Sequence, residues 1–233
     1  MKKKMRLIYL VVLLITIICF VTAGFLVKDL VGDMGFTSQT PDTPAIDETA
    51  VVLYREPKNP TELQKSIYKE LTEISKTVAQ EETLTEESAF GMASAVVKSF
   101  IADFYTWTNK DGNFDVGGLD YVYGPNHLAF AMVARDSFYQ NLNFFEKEYG
   151  IENLIEVESI KIRNVSYAED VVMNEKTYKA YYVEALWKYK ENDVFDVSGF
   201  QDRAYYIVMH NEETGRFEIA GTFEITWEVS EDE

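Results

Sequence analysis

Residues 181–189 read YYVEALWKY, and the apolar Tyr181, Val183, Ala185, Trp187 and Tyr189 fall at every second place. That period belongs to a strand whose side chains alternate between two faces. Upstream, Ile155, Val157, Ile160 and Ile162 repeat the pattern with one slip, which predicts a strand carrying a bulge. Downstream, Tyr206, Val208 and His210 share one face of a third strand, with Tyr205, Ile207 and Met209 on the other. Residues 211–215 (NEETG) read as a hairpin turn, and Phe217, Ile219, Gly221, Phe223, Ile225 and Trp227 as a fourth strand.

Before Gly150 the period is helical. Thr83 and Glu86 stand at capping-box spacing ahead of a stripe of Phe90, Ala93, Val97, Phe100, Phe104 and Trp107. Turn residues at 109–118 (NKDGNFDVGG) end that helix, and a short segment, 119–123, leads to Gly124-Pro125. A second helix from there shows Leu128, Ala131, Met132, Phe138, Tyr139, Leu142 and Phe145 on one face, with Gly150 as its C-cap. Helices followed by a run of antiparallel strands predict an α+β domain over 83–229, its helices packed on one face of a curved sheet of about four strands. Residues 230–233 form an acidic tail.

The segment 28–82 reads as a stalk. Pro41, Pro44, Pro57 and Pro60 fall in it among Gly, Thr, Asp and Ser. Asn59 as N-cap, Pro60 at the first helical position and Glu62 at the box position predict a short amphipathic helix at about 60–79. Its stripe is Leu63, Ile67, Leu71, Ile74 and Val78. Packing on the chain's own domain is favoured over a coiled coil with a second copy, because so few heptads are marginal alone.

Residues 1–6 (MKKKMR) carry four positive charges, and 7–27 carry none. A helix of that length spans about 31 Å, which matches a bilayer core of about 30 Å. The cationic flank predicts a cytoplasmic N-terminus and an extracytoplasmic C-terminal domain, single-pass at the cell membrane. The competing reading is signal-peptide cleavage after Val21-Thr22-Ala23, but the apolar run continues past that site to Val27. Ile18 ahead of Cys19 argues against a lipoprotein.

The anchor and tail hold four of the 22 Lys and Arg and none of the 39 Asp and Glu, so the outer part carries a formal charge of −21. Such a surface repels nucleic acid and anionic lipid, and makes cations or basic protein surfaces its natural partners. Cys19 is the only cysteine, so the outer domain has no disulfide; three Trp, 15 Tyr and 15 Phe supply its core.

The order of elements and the aromatic-rich strands over 83–229 resemble the NTF2-like (cystatin-like) fold, in which a long helix lies in the concave face of a bent sheet and closes a cone. The whole-chain plan of short tail, one span, stalk and one such domain resembles the VirB8-type inner-membrane proteins of bacterial conjugation and type IV secretion machines. The Asn-Pro-x-Gly motif of that family is absent, the nearest string being Gly124-Pro125-Asn126. The resemblance implies an assembly role through protein–protein contacts. NTF2-like cones elsewhere hold small ligands, or an isomerase or hydrolase site built on Asp and Tyr, for which Asp103 and nearby tyrosines are the counterparts here.

Catalytic chemistry finds little else. His127 and His210 are the only histidines, neither has an implied partner, and no Gly-x-Ser-x-Gly, His-Glu-x-x-His or phosphate loop occurs. No catalytic or cofactor-binding residue is assigned, and an enzyme is not expected. The aromatic strands either line a ligand cavity or fill the cone; close packing favours filling. The loops at 114–119 (FDVGGL) and 195–200 (FDVSGF) echo each other through shared turn chemistry.

Two constellations are specific enough to test. Asp111, Asn113 and Asp115 alternate as in the first half of a calcium loop, with Asp120 as a further oxygen ligand, although Val116 stands where the sharp turn wants Gly. Arg135 falls within the apolar face of the second helix, and Asp103 at the edge of the first helix's stripe is its expected partner in a buried structural ion pair. The function expected is a membrane-anchored extracytoplasmic scaffold acting through protein partners, with homo-oligomerisation open. The alternative is a sensor module for a small apolar or cationic ligand.

Overall fold

The computed structural model describes residues 54–194 and 196–223. The expected cytoplasmic tail, membrane span, first part of the stalk, Phe195, Ile225, Trp227 and acidic tail lie outside them. Among the described residues no helix is long and apolar enough to cross a membrane. The described residues fold as α+β, with helices packed on an antiparallel sheet.

Helix α1 (Glu62–Val78) starts two residues later than expected, with Thr61 and not Asn59 as its cap. The Thr61 hydroxyl accepts from Gln64 N at 3.3 Å while Gln64 Oε1 accepts from Thr61 N at 2.8 Å, a complete reciprocal box. Asn59, by contrast, lies at φ +45°, so the chain is still turning there. Gln64 is buried; its amide also donates to Ala102 O at 2.9 Å and accepts from Asn109 Nδ2 at 2.9 Å. These bonds, the burial of Ile67 and Leu71, and a Lys98–Glu70 ion pair fasten α1 to the next helix. The domain therefore begins well before Thr83. Tyr54 is already in the core, its hydroxyl donating to Phe217 O and accepting from Phe217 N, both at 2.9 Å.

Helix α2 (Glu86–Phe104) is capped by Thr85, which accepts from Ser88 N. Glu81 takes over the role expected of Glu86, its carboxylate accepting from Thr85 N and the Ser88 hydroxyl. Met92, Ala93, Ala95, Val96, Val97 and Ile101 are all buried. A helix apolar on every side is one sandwiched between layers, here α1 and the sheet. The expected second helix is broken. Helix α3 (His127–Asp136) and helix α4 (Leu142–Tyr149) flank a turn opened by Ser137 at φ −122°, ψ −90°. Tyr139 N donates back to Ala134 O at 2.9 Å. The break swings Tyr139 and Leu142 into the core while Leu128, Met132 and Arg135 stay outside.

The sheet is a meander in the order β1 (Val157–Tyr167), β4 (Ala180–Tyr189), β5 (Arg203–Asn211), β6 (Arg216–Phe223). Two bulges interrupt β1, one between Val157 and Ser159 as the slipped alternation required, a second between Ile162 and Asn164. A hairpin of β2 (Val171–Met173) and β3 (Lys176–Tyr178), not foreseen, is inserted before β4. Its turn residues, Asn174 and Glu175, both have positive φ, the geometry of a type I′ turn without the glycine that usually announces it. In β6 a register shift between Ile207 and Val208 of its partner strand separates Ile219 from Gly221. Phe217 and Ile219 therefore face the core, whereas Phe223, opposite Tyr205, lies on the outer face.

Candidate functional site

The inner face of the sheet, where a ligand cavity would lie, is closed by side chains. Phe104 stacks on Phe100 at 5.1 Å and on Phe138 at 5.2 Å, and Tyr105 lies 4.5 Å from Trp187. Trp107 meets Phe138 at 5.1 Å and Phe200 at 5.5 Å, all as ring-centroid distances. The recess beside Ile67, Ser99 and Tyr121 has no room for a water molecule. A larger one, about 460 Å³, is open surface between the start of α1 and the start of β1. Three polar side chains at the inner face are tied to neighbours: Trp187 Nε1 donates to the Tyr189 hydroxyl, Tyr189 to Gln201 O, and Tyr105 to Gln201 Oε1, whereas Trp107 Nε1 is buried without a hydrogen-bond partner.

Asp103 does sit in a buried ion pair, but with Lys110. Its Oδ1 lies 2.5 Å from Lys110 Nζ, and its Oδ2 accepts from Gly118 N at 2.6 Å. The Lys110 side chain is only 5% exposed. A carboxylate in the last turn of α2 opposes the helix dipole, and these two donors compensate it. Gly117 lets the loop close over the helix end, since a Cβ there would fall 2.3 Å from Asp103 O. The Tyr139 hydroxyl completes the lock, donating to Phe104 O at 2.6 Å and accepting from Gly117 N at 3.1 Å; burial raises its pKa. An acid–base role for Asp103 would have to break this arrangement. Lys110 was legible in the sequence only as one of the turn residues of 109–118.

The other expected sites are not brought together. Arg135 lies on the exposed side of α3 and pairs with Asp136 at 2.8 Å, so the Asp103–Arg135 pair does not form. The expectation assumed one continuous helix, and the break at 137–141 puts Arg135 in water. The calcium candidates also diverge. Asp111 binds Lys58; Asp115 accepts from Asp111 N at 3.0 Å; Asn113 Oδ1 faces Asn143. Asp120 accepts from Arg55 N and faces Arg216 at 3.6 Å. Among the described residues no three acidic, His or Cys side chains converge as a metal site. His127 Nε2 lies 2.7 Å from Val122 O, and the His210 ring stacks on Phe217 at 4.6 Å, where burial lowers its pKa.

Some apolar side chains remain exposed. Helix α3 turns Phe130 and Ala134 inward and presents Leu128, Met132 and Val133 to solvent, each at least half exposed. Phe114 and Phe144 are exposed as well. Sequence periodicity had placed Leu128 and Met132 in the buried stripe. Comparison with protein-family models, with curated proteins and with solved structures returns no match.

Proposed function

We propose that this chain is a membrane-anchored extracytoplasmic assembly protein, an NTF2-like domain held on a single span and working through protein–protein contacts, as VirB8-type proteins do. The observation that carries the reading is the pairing of a filled inner face with an uncovered apolar helix. A sensor module needs room and convergent polar groups in the cone, and here aromatic rings occupy that space. Leu128, Met132 and Val133 form the kind of clustered exposure that marks a contact surface. The sheet with a long helix across one face supports the NTF2-like reading, and the uncharged run 7–27 behind MKKKMR supports the anchor.

A photocrosslinking residue in place of Met132, in the full chain in its native membrane, tests the contact. A protein adduct is expected; adducts to small molecules or lipid alone, or none, would overturn the reading. Proteolysis of intact cells, or spheroplasts where an outer barrier intervenes, should remove the outer domain and leave a membrane-held stub. Protection of the domain, or a mature chain beginning at Gly24, refutes the anchor.

A further inference from the structure

The sheet has a second face, turned away from α2, and the register defines it. Tyr182 lies across from Ile207 and Ser166, Glu184 from Tyr205 and Asn164, and Leu186 from Arg203 and Lys161. Lys188, opposite Ser159, extends it. Phe223, transferred to this side by the register shift in β6, stands beside Tyr205. On the surface so built Leu186, Tyr205 and Ile207 are half-buried, Tyr182 is 40% exposed and Phe223 54% exposed, and Glu184, half-buried among them, is the one carboxylate of the central strand on this face.

One end of this face is already covered, and by polypeptide. The β2–β3 hairpin brings Val171, Met173 and Tyr178 into one apolar cluster with Ala180, Met209, Ile207 and Ala220. The uncovered part continues the same apolar surface, and a sheet face of this kind is ordinarily closed by a second layer. Charge says what that layer carries. In a chain with 39 acidic and 22 basic side chains, Lys161, Arg163, Lys188 and Arg203 gather around this one patch. Arg163 holds Glu184 at 3.5 Å and Arg203 holds Asp202 at 3.2 Å. Among the described residues Lys161 and Lys188 have no carboxylate partner.

We propose that the outer face of the sheet is a docking surface for an acidic polypeptide, which lays an apolar strip over Tyr182, Leu186 and Phe223 and sets carboxylates against Lys161 and Lys188. A second copy docking symmetrically would place these same lysines near one another, so a two-fold dimer through this face is disfavoured. A sheet face whose central side chains are half sunk between their neighbours suits a packed protein layer, about 10 Å away, better than insertion among lipid chains. The proposal rests on the assembly reading above and adds a partner chemistry at a surface separate from α3.

The experiment places a photocrosslinking residue at Tyr182 in the full-length chain, in its native membrane, with and without Lys161→Glu plus Lys188→Glu. Both lysines are exposed, so the double variant keeps the wild-type melting curve. The expected result is one protein adduct whose crosslinked peptide, sequenced by mass spectrometry, is rich in Asp and Glu. Its yield falls about tenfold in the double variant, because reversing a complementary rim charge slows association. Overturning results are an adduct to lipid, to a second copy, or to residues 224–233 of the same chain; a protein adduct indifferent to the charge reversal; or no adduct. The crosslink from Met132 separates the two claims. If it persists while Tyr182 captures nothing, this face is not a docking site and the assembly reading stands; if both positions capture nothing, the assembly reading falls too.

Discussion

Replacing Asp103 by Ala strands the Lys110 ammonium, whose side chain is 5% exposed, at the end of α2. Two hydrogen bonds to an ionised group disappear, from Lys110 Nζ at 2.5 Å and from Gly118 N at 2.6 Å. Bonds of that type are each worth roughly 1.5–3 kcal/mol. Against this, removing a carboxylate from the last helical turn relieves about 0.3–1 kcal/mol of dipole repulsion. The balance is a loss of about 3–5 kcal/mol, the range for breaking one side of a buried pair. Urea unfolding of the chain in mild detergent, followed by the fluorescence of buried Trp107 and Trp187, reads it out. With a slope of about 2 kcal/mol per molar, the midpoint should fall by roughly 1.5–2.5 M. Adding Lys110→Met removes the stranded charge and should recover most of the loss, leaving about 1 kcal/mol for the unsatisfied Gly118 N–H. Arg135→Ala should move the midpoint hardly at all, because its pair with Asp136 is exposed to water. If Asp103→Ala costs no more than Arg135→Ala, or the double variant is worse than the single, the lock at the end of α2 is not what holds the 109–118 loop.

Three further outcomes follow from the same geometry. Gly117→Ala should destabilise by about 1–3 kcal/mol, since its Cβ meets backbone rather than a movable side chain; a wild-type midpoint would contradict the close approach. Tyr54→Phe should cost about 2 kcal/mol, because the buried N–H and C=O of Phe217 both lose their partner on the edge of β6 away from β5, and hydrogen exchange at Phe217 should quicken. His210 is held neutral by burial below its ordinary 6.5, so the unfolded chain binds more protons in that range. Its effect on stability is absent above pH 6.5 and becomes a loss as pH falls towards the lowered folded-state pKa, and His210→Phe should remove that part of the pH dependence of the melting temperature.

How much of this was legible in the sequence depended on whether one local pattern decided the outcome. Alternation along 181–189 did, because a strand paired on both sides and packed on one face leaves no other period open. The first bulge in β1 was legible for the same reason. Helix starts were not: Asn59 and Thr61 both make good caps, as do Thr83 and Thr85, and the choice fell to Gln64 and Glu81, whose reach depends on the approaching chain. The β2–β3 hairpin hid behind a turn without glycine.

The ion pair failed for a more instructive reason. A helical wheel drawn across 125–149 presumes that every residue advances 100°, and one residue at φ −122°, ψ −90° cancels it. From Phe138 onward, Phe138, Tyr139 and Leu142 lie against the core as the wheel has them, while upstream of Ser137 the inner positions shift to Phe130 and Ala134. The register shift in β6 does the same to a strand, splitting Phe217, Ile219 and Phe223, one unbroken alternation in sequence, between two faces. In both elements the residues expelled from the core by a local irregularity, Leu128 and Met132 in one and Phe223 in the other, are the apolar groups at the proposed contact surfaces. Irregular backbone here does not loosen the domain, whose interior stays filled. It moves apolar side chains from inside to outside without an apolar surplus in the sequence, which is how a filled core and an exposed apolar surface come from the same amphipathic stretches.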